Sequence, residues 1–372
     1  MQRLRITPRK DYGKILEANG LSFHGADNYW KEDACYRFTL QQVEDIEAAT
    51  AELHEMCVGA MQHIVAHQEL GRLGIPATFW RAIAESATNL DFSLYGRFDF
   101  AYDGKNPPKL LEYNADTPTS LLESAVCQWF WLQDCHPDLD QFNSLHERLI
   151  ERWRSLPGDA PVHLAYLADN EEDWVCITYL MDTLVQAGRT ALHIPIEQIG
   201  WDGAQRTFVD GDGRRIENLF KLYPWEWLMR DEFGQHILAG STRFIEPIWK
   251  AVLSCKGLLP YLWERYPDHP NLLPAYFEPG RLGSYARKPL YSREGANVEL
   301  VREGQVLVKG QGPYGAEGYV YQALCELPNF DGAYPVIGSW LVDGQAAGMC
   351  IREDASPVTT NMSHFVPHYI SG

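Results

Sequence analysis

Three oxygen-bearing side chains and one arginine occur together in a short stretch that otherwise has the pattern of a β-hairpin. The segment RFDFAYDGKNPPKLLEYN carries Arg97 and Asp99 in its first apolar run and Glu112 and Asn114 in its second. The Asp-Gly and Asn-Pro dipeptides between the runs are strong turn signals. A turn centred between positions 105 and 106 places Asp99 opposite Glu112 and Arg97 opposite Asn114. Since side chains alternate between faces along a strand, all four then share one face.

This shared face predicts a site for a divalent cation and a phosphate. Its two carboxylates would lie about 5 Å apart between Cβ atoms, which destabilises a sheet unless they share a proton or a cation. Carboxylate and amide oxygens are hard ligands of the kind that Mg²⁺ prefers. Arg97 would then bind a phosphate or a developing negative charge. The alternative is a solvated face of an edge hairpin, in which Asp99 pairs with Arg97.

The opposite face of the hairpin is predicted to be apolar. In the same register Phe98, Phe100, Leu111 and Tyr113 point together towards a core. A shift of one residue at the two prolines of the turn would exchange the two faces.

Three further cations have a functional and a structural interpretation. Lys288, in RKPLYSREGANV, precedes a small turn at Gly295 whose amides could approach phosphate oxygens; the alternative is a surface lysine before a hairpin turn. Lys256 lies near a predicted helix end, where its charge suits the carbonyl dipoles. Arg352 follows an apolar strand and points into a site, or else forms a surface pair with Glu353.

Two other segments resemble binding motifs. The acidic run from Asn170 to Asp173 is typical of a helix start, and it could also hold an amino group through Glu172. GQGPYGAEG, from Gly310, matches a loose G-x-G-x-x-G. It contains proline and follows no clear strand, so we interpret it as a mobile loop and not as a dinucleotide site.

The elements that must position these residues alternate along the chain. Helices are predicted at 43–71, 78–88, 118–132 and 172–187 and within 245–265. The helix at 118–132 is apolar nearly all round, which predicts that it is buried. Strands are predicted at 161–167, from His193, and repeatedly after Phe220. The strand–helix–strand unit indicates an α/β layer, and the later strands and glycine turns indicate an α+β part.

Composition restricts the classes of function. The chain has 372 residues, enough for two or three lobes, and a formal net charge of −18. Such acidity disfavours nucleic-acid binding but suits metal ions or polyamines. The N-terminus lacks the apolar core of a signal peptide, and no stretch approaches the ~18 apolar residues of a membrane span. Eight cysteines without a C-x-x-C pair predict reduced thiols, no zinc site and a cytoplasmic location.

Several long motifs, in order, are shared with a known family. They include GRFDF, PKLLEYNADTPTSLLE, KLYPWEW, EPIWK, RKPLYSREGANV and LPNFDGAYPVIGSW. The chain resembles the glutathionylspermidine synthetase family from about Tyr12 to Tyr369, and more closely its short bacterial relatives, the acid–amine ligases.

The resemblance implies an ATP-grasp-type synthetase of mixed α+β and α/β structure with a pre-ATP-grasp α/β lobe. We expect one compact unit over 12–372. Its lobes would be 12–160 (helical, with the metal-binding hairpin), 161–230 (α/β) and 231–372 (the nucleotide lobe). No amidase domain of the kind that the bifunctional relatives carry is expected. Glu112-x-Asn114 also resembles the metal-binding E-x-N of other ATP-grasp enzymes, although here it precedes the two lysines.

The resemblance further implies ATP- and Mg²⁺-dependent amide formation through an acyl phosphate. The substrates would be a peptide-like acid, glutathione or similar, and a polyamine or other amine. The roles carried over by motif are Mg²⁺ ligands (Asp99, Glu112, Asn114), stabilisers of the reacting groups (Arg97, Arg352), ATP-binding residues (Lys256, Lys288, Gly295, Asn297) and substrate-binding residues (Thr117, Thr119, with Glu172 added). The two threonines replace serines of the bifunctional enzymes, which leaves the acid open. A non-catalytic ATP- or polyamine-binding relative and a Mg²⁺-dependent phosphohydrolase remain alternatives, and the oligomeric state is open.

Overall fold

Five β-sheets connected by ten α-helices form the protein, described here by a computed structural model of residues 1–372. The helices are α1 (Tyr12–Ala18), α2 (Leu40–Ala66), α3 (Trp80–Asn89), α4 (Gln128–Cys135), α5 (Leu145–Arg154), α6 (Glu171–Gln186), α7 (Trp225–Leu228), α8 (Gly234–Ile237), α9 (Lys250–Ser254) and α10 (Leu258–Arg265). The strands are β1 (Gln2–Arg5), β2 (Ala34–Phe38), β3 (Tyr95–Ala101), β4 (Lys109–Asn114), β5 (Val162–Tyr166), β6 (Ala191–Pro195), β7 (Gly200–Asp202), β8 (Thr207–Val209), β9 (Asn218–Lys221), β10 (Arg243–Ile245), β11 (Ala275–Tyr276), β12 (Tyr285–Pro289), β13 (Glu299–Arg302), β14 (Gln305–Lys309), β15 (Tyr319–Ala323), β16 (Tyr334–Val342), β17 (Gln345–Asp354), β18 (His364–Phe365) and β19 (His368–Ile370).

The predicted hairpin forms one side of a five-stranded antiparallel sheet in the order β18-β17-β16-β3-β4. Arg97 pairs with Asn114, and Asp99 pairs with Glu112, so the predicted register is confirmed at the polar residues. A β-bulge follows Asp99, and Phe100 then pairs with Leu110. The bulge changes which residues of β4 face the core.

One residue of the predicted apolar face is therefore misplaced. Phe98, Phe100 and Tyr113 are buried in the core as predicted. Leu110, and not Leu111, completes that core, while Leu111 lies in the wall of a cavity on the polar side. The prediction for Leu111 is wrong because the extra residue of a bulge reverses the alternation beyond it.

The predicted α/β layer is a four-stranded parallel sheet in the order β10-β9-β5-β6. Helix α6 is the crossover between β5 and β6. Asn170 caps its N-terminus by accepting a hydrogen bond from the amide of Asp173. The helix ends just before Gly188, whose φ of +80° is favourable for glycine, as predicted from the sequence.

The nucleotide-lobe strands form a five-stranded antiparallel sheet in the order β11-β15-β12-β13-β14. The segment from Gly310 to Gly318 connects β14 to β15 as a loop, as predicted. The helix predicted within 245–265 is two helices, α9 and α10, and Lys256 lies in the break between them. The lobe boundaries at 160 and 230 remain a prediction.

The buried helix predicted at 118–132 is shifted and only partly buried. It is helical from residue 121, passes through a π-helical turn at Glu123–Cys127 and continues as α4. Trp131 is buried, but Trp129 and Phe130 are 39% and 46% exposed. The helix lies at the edge of the core and not inside it. None of the helices combines the length and apolar character needed to cross a bilayer.

Candidate active site

One cavity of about 300 Å³ collects most of the residues singled out in the sequence. Its wall combines the β3–β4 hairpin, the segment after β4, the start of α6, strands β12 and β15, and residues 357–361. Eleven of the twelve predicted site residues line it: Arg97, Asp99, Glu112, Asn114, Thr117, Thr119, Glu172, Lys256, Lys288, Gly295 and Arg352. Asn297 is the exception.

The hairpin residues form a connected polar group on the cavity wall. Arg97 donates from Nε and Nη2 to the two oxygens of Asp99, at 2.7 and 3.1 Å. Nδ2 of Asn114 lies 3.0 Å from Asp99 and 3.2 Å from Glu112. Asp99 is 8% exposed. The alternative of a solvated face therefore fails at Asp99, whereas the edge position of β4 and the Arg97–Asp99 pair that it assumed are both present.

Two lysines set the charge of Glu112. Nζ of Lys256 lies 3.1 Å from Oε2 of Glu112. Burial alone would raise the pKa of Glu112, but Lys256 and Lys288, with hydrogen bonds from Lys256 and Asn114, lower that pKa to about 2. Glu112 is therefore a carboxylate at neutral pH. Burial raises the pKa of Asp99, while the contact with Arg97 acts in the opposite direction.

This donor set fits Mg²⁺. Asp99, Glu112 and Asn114 supply hard oxygens from neighbouring positions of two paired strands. The Asn114 amide nitrogen now faces both carboxylates, and turning the amide over would present its oxygen instead. No group of three or more His, Cys, Asp or Glu side chains is placed to hold a metal ion. A cation at the hairpin would therefore need waters or phosphate oxygens as further ligands, which is typical of Mg²⁺.

Lys256 and Lys288 are both 8% exposed, so neither is an ordinary surface lysine. Lys288 donates to the carbonyl oxygen of Leu111 at 2.9 Å and to Gln322 Oε1 at 2.7 Å. Lys256 donates to the carbonyl oxygen of Ser292 at 2.9 Å besides its contact with Glu112. Since an ammonium group has three donors, each lysine keeps one for a ligand.

We expect ATP affinity to fall as pH rises through the pKa of Lys288. Burial lowers this pKa to about 8, with Lys256 also lowering it and Glu112 opposing the change. Bound phosphate favours the charged lysine, so binding takes up a proton above pH 8 and weakens there, by about tenfold or more between pH 7.5 and 9.5. Calorimetric titration of Mg·ATP at several pH values measures this. Lys288→Arg keeps its charge and should flatten the dependence, whereas equal wild-type affinities at both pH values would contradict the assignment.

The turn at 293–297 lies tightly against the C-terminal segment. Gly295 has a φ of +70°, and a Cβ there would lie 2.6 Å from both the Thr359 carbonyl oxygen and Val358 Cγ1. Asn297, predicted to bind ATP, instead accepts a hydrogen bond from the amide of Tyr314 at 2.9 Å. Its side chain connects the turn to the loop after β14.

Gly295→Ala should displace this turn and weaken ATP binding. The left-handed backbone alone costs about 1–2 kcal/mol for alanine, and the contacts with residues 358 and 359 add to it. Gly304→Ala is the matched control, because Gly304 has a φ of +80° and open space around its Cβ position. Both variants should lose thermal stability, but only Gly295→Ala should raise KM for ATP. An equal KM in the two variants would show that the turn does not contact the nucleotide.

Arg352 is held mainly by backbone carbonyls of the segment 360–363. Its Nε donates to the carbonyl of Ser363 at 3.0 Å, and Nη2 donates to the carbonyls of Thr360 and Asn361 at 3.3 and 3.2 Å. Nη1 donates to Ser120 Oγ at 3.1 Å. Four of the five donors of the guanidinium are thus used, and one remains on Nη1 for a ligand.

The surface pair of Arg352 with Glu353 is not formed. Glu353 is 2% exposed and accepts two hydrogen bonds from Arg3, at 2.8 and 2.7 Å, and one from Tyr36. The two neighbours therefore bind different parts of the protein, as successive residues of a strand should.

Arg293 belongs to the site although it was not predicted. It donates to Thr117 Oγ1 at 2.7 Å and to Glu226 Oε1 at 2.9 Å, and its guanidinium lies 5.6 Å from the Trp227 ring. The arginine joins the 293–297 turn to the segment after β4 and to α7. The sequence offered two signals for it, its place in the motif RKPLYSREGANV and its position two residues before Gly295. Thr119 contributes its carbonyl oxygen, which accepts from Arg97 Nη1 at 2.7 Å.

One part of the cavity wall is acidic. Glu172, Asp173 and Glu294 all line it. Burial raises the pKa of Asp173 to about 6, with Glu172 adding to the shift. Burial and then Glu172 also raise the pKa of Glu294. Mutual repulsion of this kind is relieved by a positively charged ligand.

Two fully buried lysines support the hairpin from behind. Lys221 pairs with Asp116 at 2.6 Å, and the same carboxyl accepts from the amide of Trp225 at 2.8 Å. Lys250 donates to the carbonyls of Tyr95 and Ala115 at 2.9 and 3.1 Å. The motifs KLYPWEW and EPIWK therefore position the ends of β3 and β4 and do not line the cavity with their lysines.

Comparison with known proteins gives the family. The model of a family described as "Glutathionylspermidine synthase preATP-grasp" matches residues 3–371. The chain belongs to the glutathionylspermidine synthase family. The resemblance inferred from the motifs is thereby confirmed, and the pre-ATP-grasp part with it.

Relatives within the glutathionylspermidine synthase family differ in length. A Haemophilus influenzae protein, named for an inferred acid–amine ligase activity, is 46% identical over 96% of this chain and 94% of its own length. A trypanothione synthetase of Crithidia fasciculata and the bifunctional glutathionylspermidine synthetase/amidase of Escherichia coli are each 28% identical over 89% of this chain. This chain spans only 55% and 58% of their respective lengths.

Solved structures confirm the fold class. A glutathione synthetase-like effector from Globodera pallida superposes with a TM-score of 0.59 over 98% of both chains, at 11% sequence identity. At that identity the likeness concerns the fold alone. The predicted mixed α/β, ATP-grasp-type architecture is the one observed.

Proposed function

We propose that this protein is an ATP- and Mg²⁺-dependent ligase that joins a peptide-like carboxylic acid to an amine, with a polyamine as the favoured amine. Its family, whose named members include synthetases and an acid–amine ligase, supports the coarse assignment as a ligase. We propose the mechanism and the substrates on the basis of the residues that line the cavity.

A single observation carries the proposal. Two carboxylates and an amide lie on the same cavity wall as four cations, Arg97, Lys256, Lys288 and Arg352. Cations with unused donors suit the oxygens of a triphosphate, and hard oxygen ligands beside them suit the metal that accompanies it. The cavity also has an apolar part that suits a nucleobase, where Ala286, Val298, Leu300 and Leu324 pack together.

The proposed reaction has two steps. A carboxylate oxygen of the acid attacks the γ-phosphorus, the bond to the β–γ bridging oxygen breaks, and ADP leaves with those electrons. The amine nitrogen then attacks the acyl carbon, phosphate leaves, and the amine loses a proton. Lys256 and Lys288 would hold the phosphates, while Arg97 and Arg352 would stabilise charge on the transferring phosphoryl group and on the tetrahedral intermediate.

Asp99, Glu112 and Asn114 would hold Mg²⁺. The bound ion supplies charge neutralisation at the phosphate oxygens. The residues' own part is to fix the ion beside Arg97 on a rigid pair of strands, which keeps the phosphate in one orientation.

The two substrates would use different parts of the wall. Thr117 and Thr119 lie near Arg97 and Arg293, which suits a carboxylate. Glu172, Asp173 and Glu294 suit the ammonium groups of an amine, and a polyamine could use more than one of them. One of these carboxylates would also accept the proton that the attacking nitrogen releases.

Phosphate release from Mg·ATP tests the proposal directly. The panel contains glutathione and other small peptides or acids, each with and without spermidine, putrescine and similar amines. Release that requires both an acid and an amine, with the amide detected by mass spectrometry, is the expected result. Release without either substrate would favour the phosphohydrolase, and ATP binding without release under any pairing would favour the non-catalytic relative.

A further inference from the structure

A buried carboxyl group, that of the last residue of the motif PKLLEYNADTPTSLLE, lies behind Arg352. We propose that Glu123 is a positioning residue for Arg352 and acts on it through the hydroxyl groups of Tyr29 and Ser120. The inference rests on the proposed function, because it concerns an arginine that is assigned there to the reacting groups.

A continuous chain of hydrogen bonds connects the two residues. Tyr29 Oη donates to Glu123 Oε1 at 2.6 Å and lies 3.1 Å from Ser120 Oγ. Nη1 of Arg352 donates to the same Ser120 oxygen at 3.1 Å. The guanidinium also lies over the Tyr29 ring, with Cζ 5.0 Å from the ring centroid. Tyr29, Ser120 and Glu123 are at most 6% exposed, so water competes little with these bonds.

The chemistry of the groups fixes the direction of the chain. Arginine has donors only, so Ser120 must accept from it. The Ser120 hydroxyl is then free to donate to Tyr29, and Tyr29 donates to Glu123. Every donor therefore points from the cavity towards the buried carboxyl, which is the terminal acceptor. A carboxylate at that end strengthens each bond before it.

The backbone has unusual conformations at two residues of this hydrogen-bond chain, Ser120 and Glu123. Ser120 has a φ of +69°, an uncommon conformation for a residue other than glycine. Its carbonyl oxygen accepts from the Ser124 hydroxyl at 2.5 Å. Glu123 is the first residue of the π-helical turn Glu123–Cys127, a feature that is frequent at functional sites.

Positioning, and not proton transfer, is the role that the geometry allows. The cavity end of the chain is an arginine, which does not release its proton in proteins. Tyr29, Ser120 and Glu123 are themselves absent from the cavity wall. Glu123 can therefore affect the reaction only by holding the Nη1 group of Arg352, a residue that lines the cavity.

The charge of Glu123 changes near neutral pH. Burial raises the pKa of Glu123 to about 7; Glu172 adds to the increase, while the hydrogen bond from Tyr29 and the charge of Arg352 oppose it. The other titratable groups that sense Glu123 are the thiols of Cys127 and Cys176. The chain should therefore be strongest above pH 7, when the terminal acceptor is ionised.

Two variants test the inference. Tyr29→Phe removes the central hydroxyl and should lower kcat about 10- to 100-fold while changing KM for ATP less than about threefold. Glu123→Gln keeps the shape and an acceptor oxygen but cannot titrate. The decrease of kcat that protonation of Glu123 should cause near pH 7 should therefore be absent in it, while a decrease at lower pH from protonation of Asp173 should remain. Tyr12→Phe, on α1 and away from the cavity wall, is the matched control and should behave as wild type.

Two measurements do not depend on turnover. Because the folded-state pKa of Glu123 is raised, its ionisation destabilises the fold as pH rises from about 4.5 to 7. The Tm of Glu123→Gln minus the Tm of wild type should therefore increase as pH rises from about 4.5 to 7. The Nε–H NMR signal of Arg352 can be assigned by its absence from the spectrum of Arg352→Lys. The order parameter of this group should be lower in Tyr29→Phe than in wild type.

The outcomes separate the two proposals. If the wild type turns over and both variants keep its kcat and its pH profile, the inference is overturned and the ligase assignment stays intact. Absence of turnover with every acid and amine would remove the ligase assignment. An Arg352 signal unchanged in both variants would then overturn the positioning role independently.

Discussion

Replacing Glu112 by glutamine is expected to lower kcat about 100- to 1,000-fold while the protein stays folded. Glutamine keeps the size of the side chain and an oxygen for Asn114, but it removes one anionic ligand of the proposed metal site. It also removes the charge that faces Lys256 and Lys288. The dependence of activity on Mg²⁺ concentration should shift to higher values.

The measurement is steady-state kinetics at several Mg²⁺ concentrations, with circular dichroism and Tm as checks on folding. Glu264→Gln, an exposed position on α10, makes the same change of charge away from the cavity and is the control. Full activity in Glu112→Gln at limiting Mg²⁺ would contradict the assignment of Glu112 as a metal ligand.

Replacing Arg97 by lysine is expected to lower kcat about 100-fold with a small change in KM for ATP. Arg97 uses Nε and Nη2 for Asp99 and Nη1 for the carbonyl of Thr119, and two donors remain for a ligand. A lysine has no planar fork and cannot make the paired contact with Asp99 while it binds a phosphate. Charge alone is therefore insufficient at this position.

Arg81→Lys is the control for this substitution, since the Arg81 side chain is 89% exposed. Single-turnover measurements of ADP formation would show whether the loss lies in phosphoryl transfer. Near-wild-type kcat in Arg97→Lys would reduce Arg97 to a structural partner of Asp99.

The local geometry of the hairpin was accessible to sequence reasoning, and its irregularity was not. Turn residues and alternation predicted the Arg97–Asn114 and Asp99–Glu112 pairs correctly. The two prolines of the turn indicated that the register could shift by one residue, but they did not indicate that the shift would occur as a bulge at Leu111. Leu111 was misplaced for that reason.

The cavity depends on contacts between residues far apart in the chain, and sequence reasoning recovered these only through motifs. Lys256 and Lys288 were recognised by resemblance, but their pairing with Glu112 and Gln322 required the fold. Glu123 ends the motif PKLLEYNADTPTSLLE but was assigned no role, since nothing local distinguishes a buried carboxyl from a surface one. Asn297 was assigned to ATP by its place in a motif, whereas its side chain bonds to the amide of Tyr314.

The position of β3 between β4 and β16 also bears on how the protein is synthesised. The strand begins at Tyr95, but its neighbour β16 begins only at Tyr334, so on the ribosome one edge of the hairpin stays unpaired until most of the chain has emerged. An open apolar edge of this kind invites pairing with other nascent chains. The sheet that carries the proposed metal ligands is thus completed near the end of translation, and we expect chaperone supply and growth temperature to govern the yield of active protein more than they would for a fold built from local contacts.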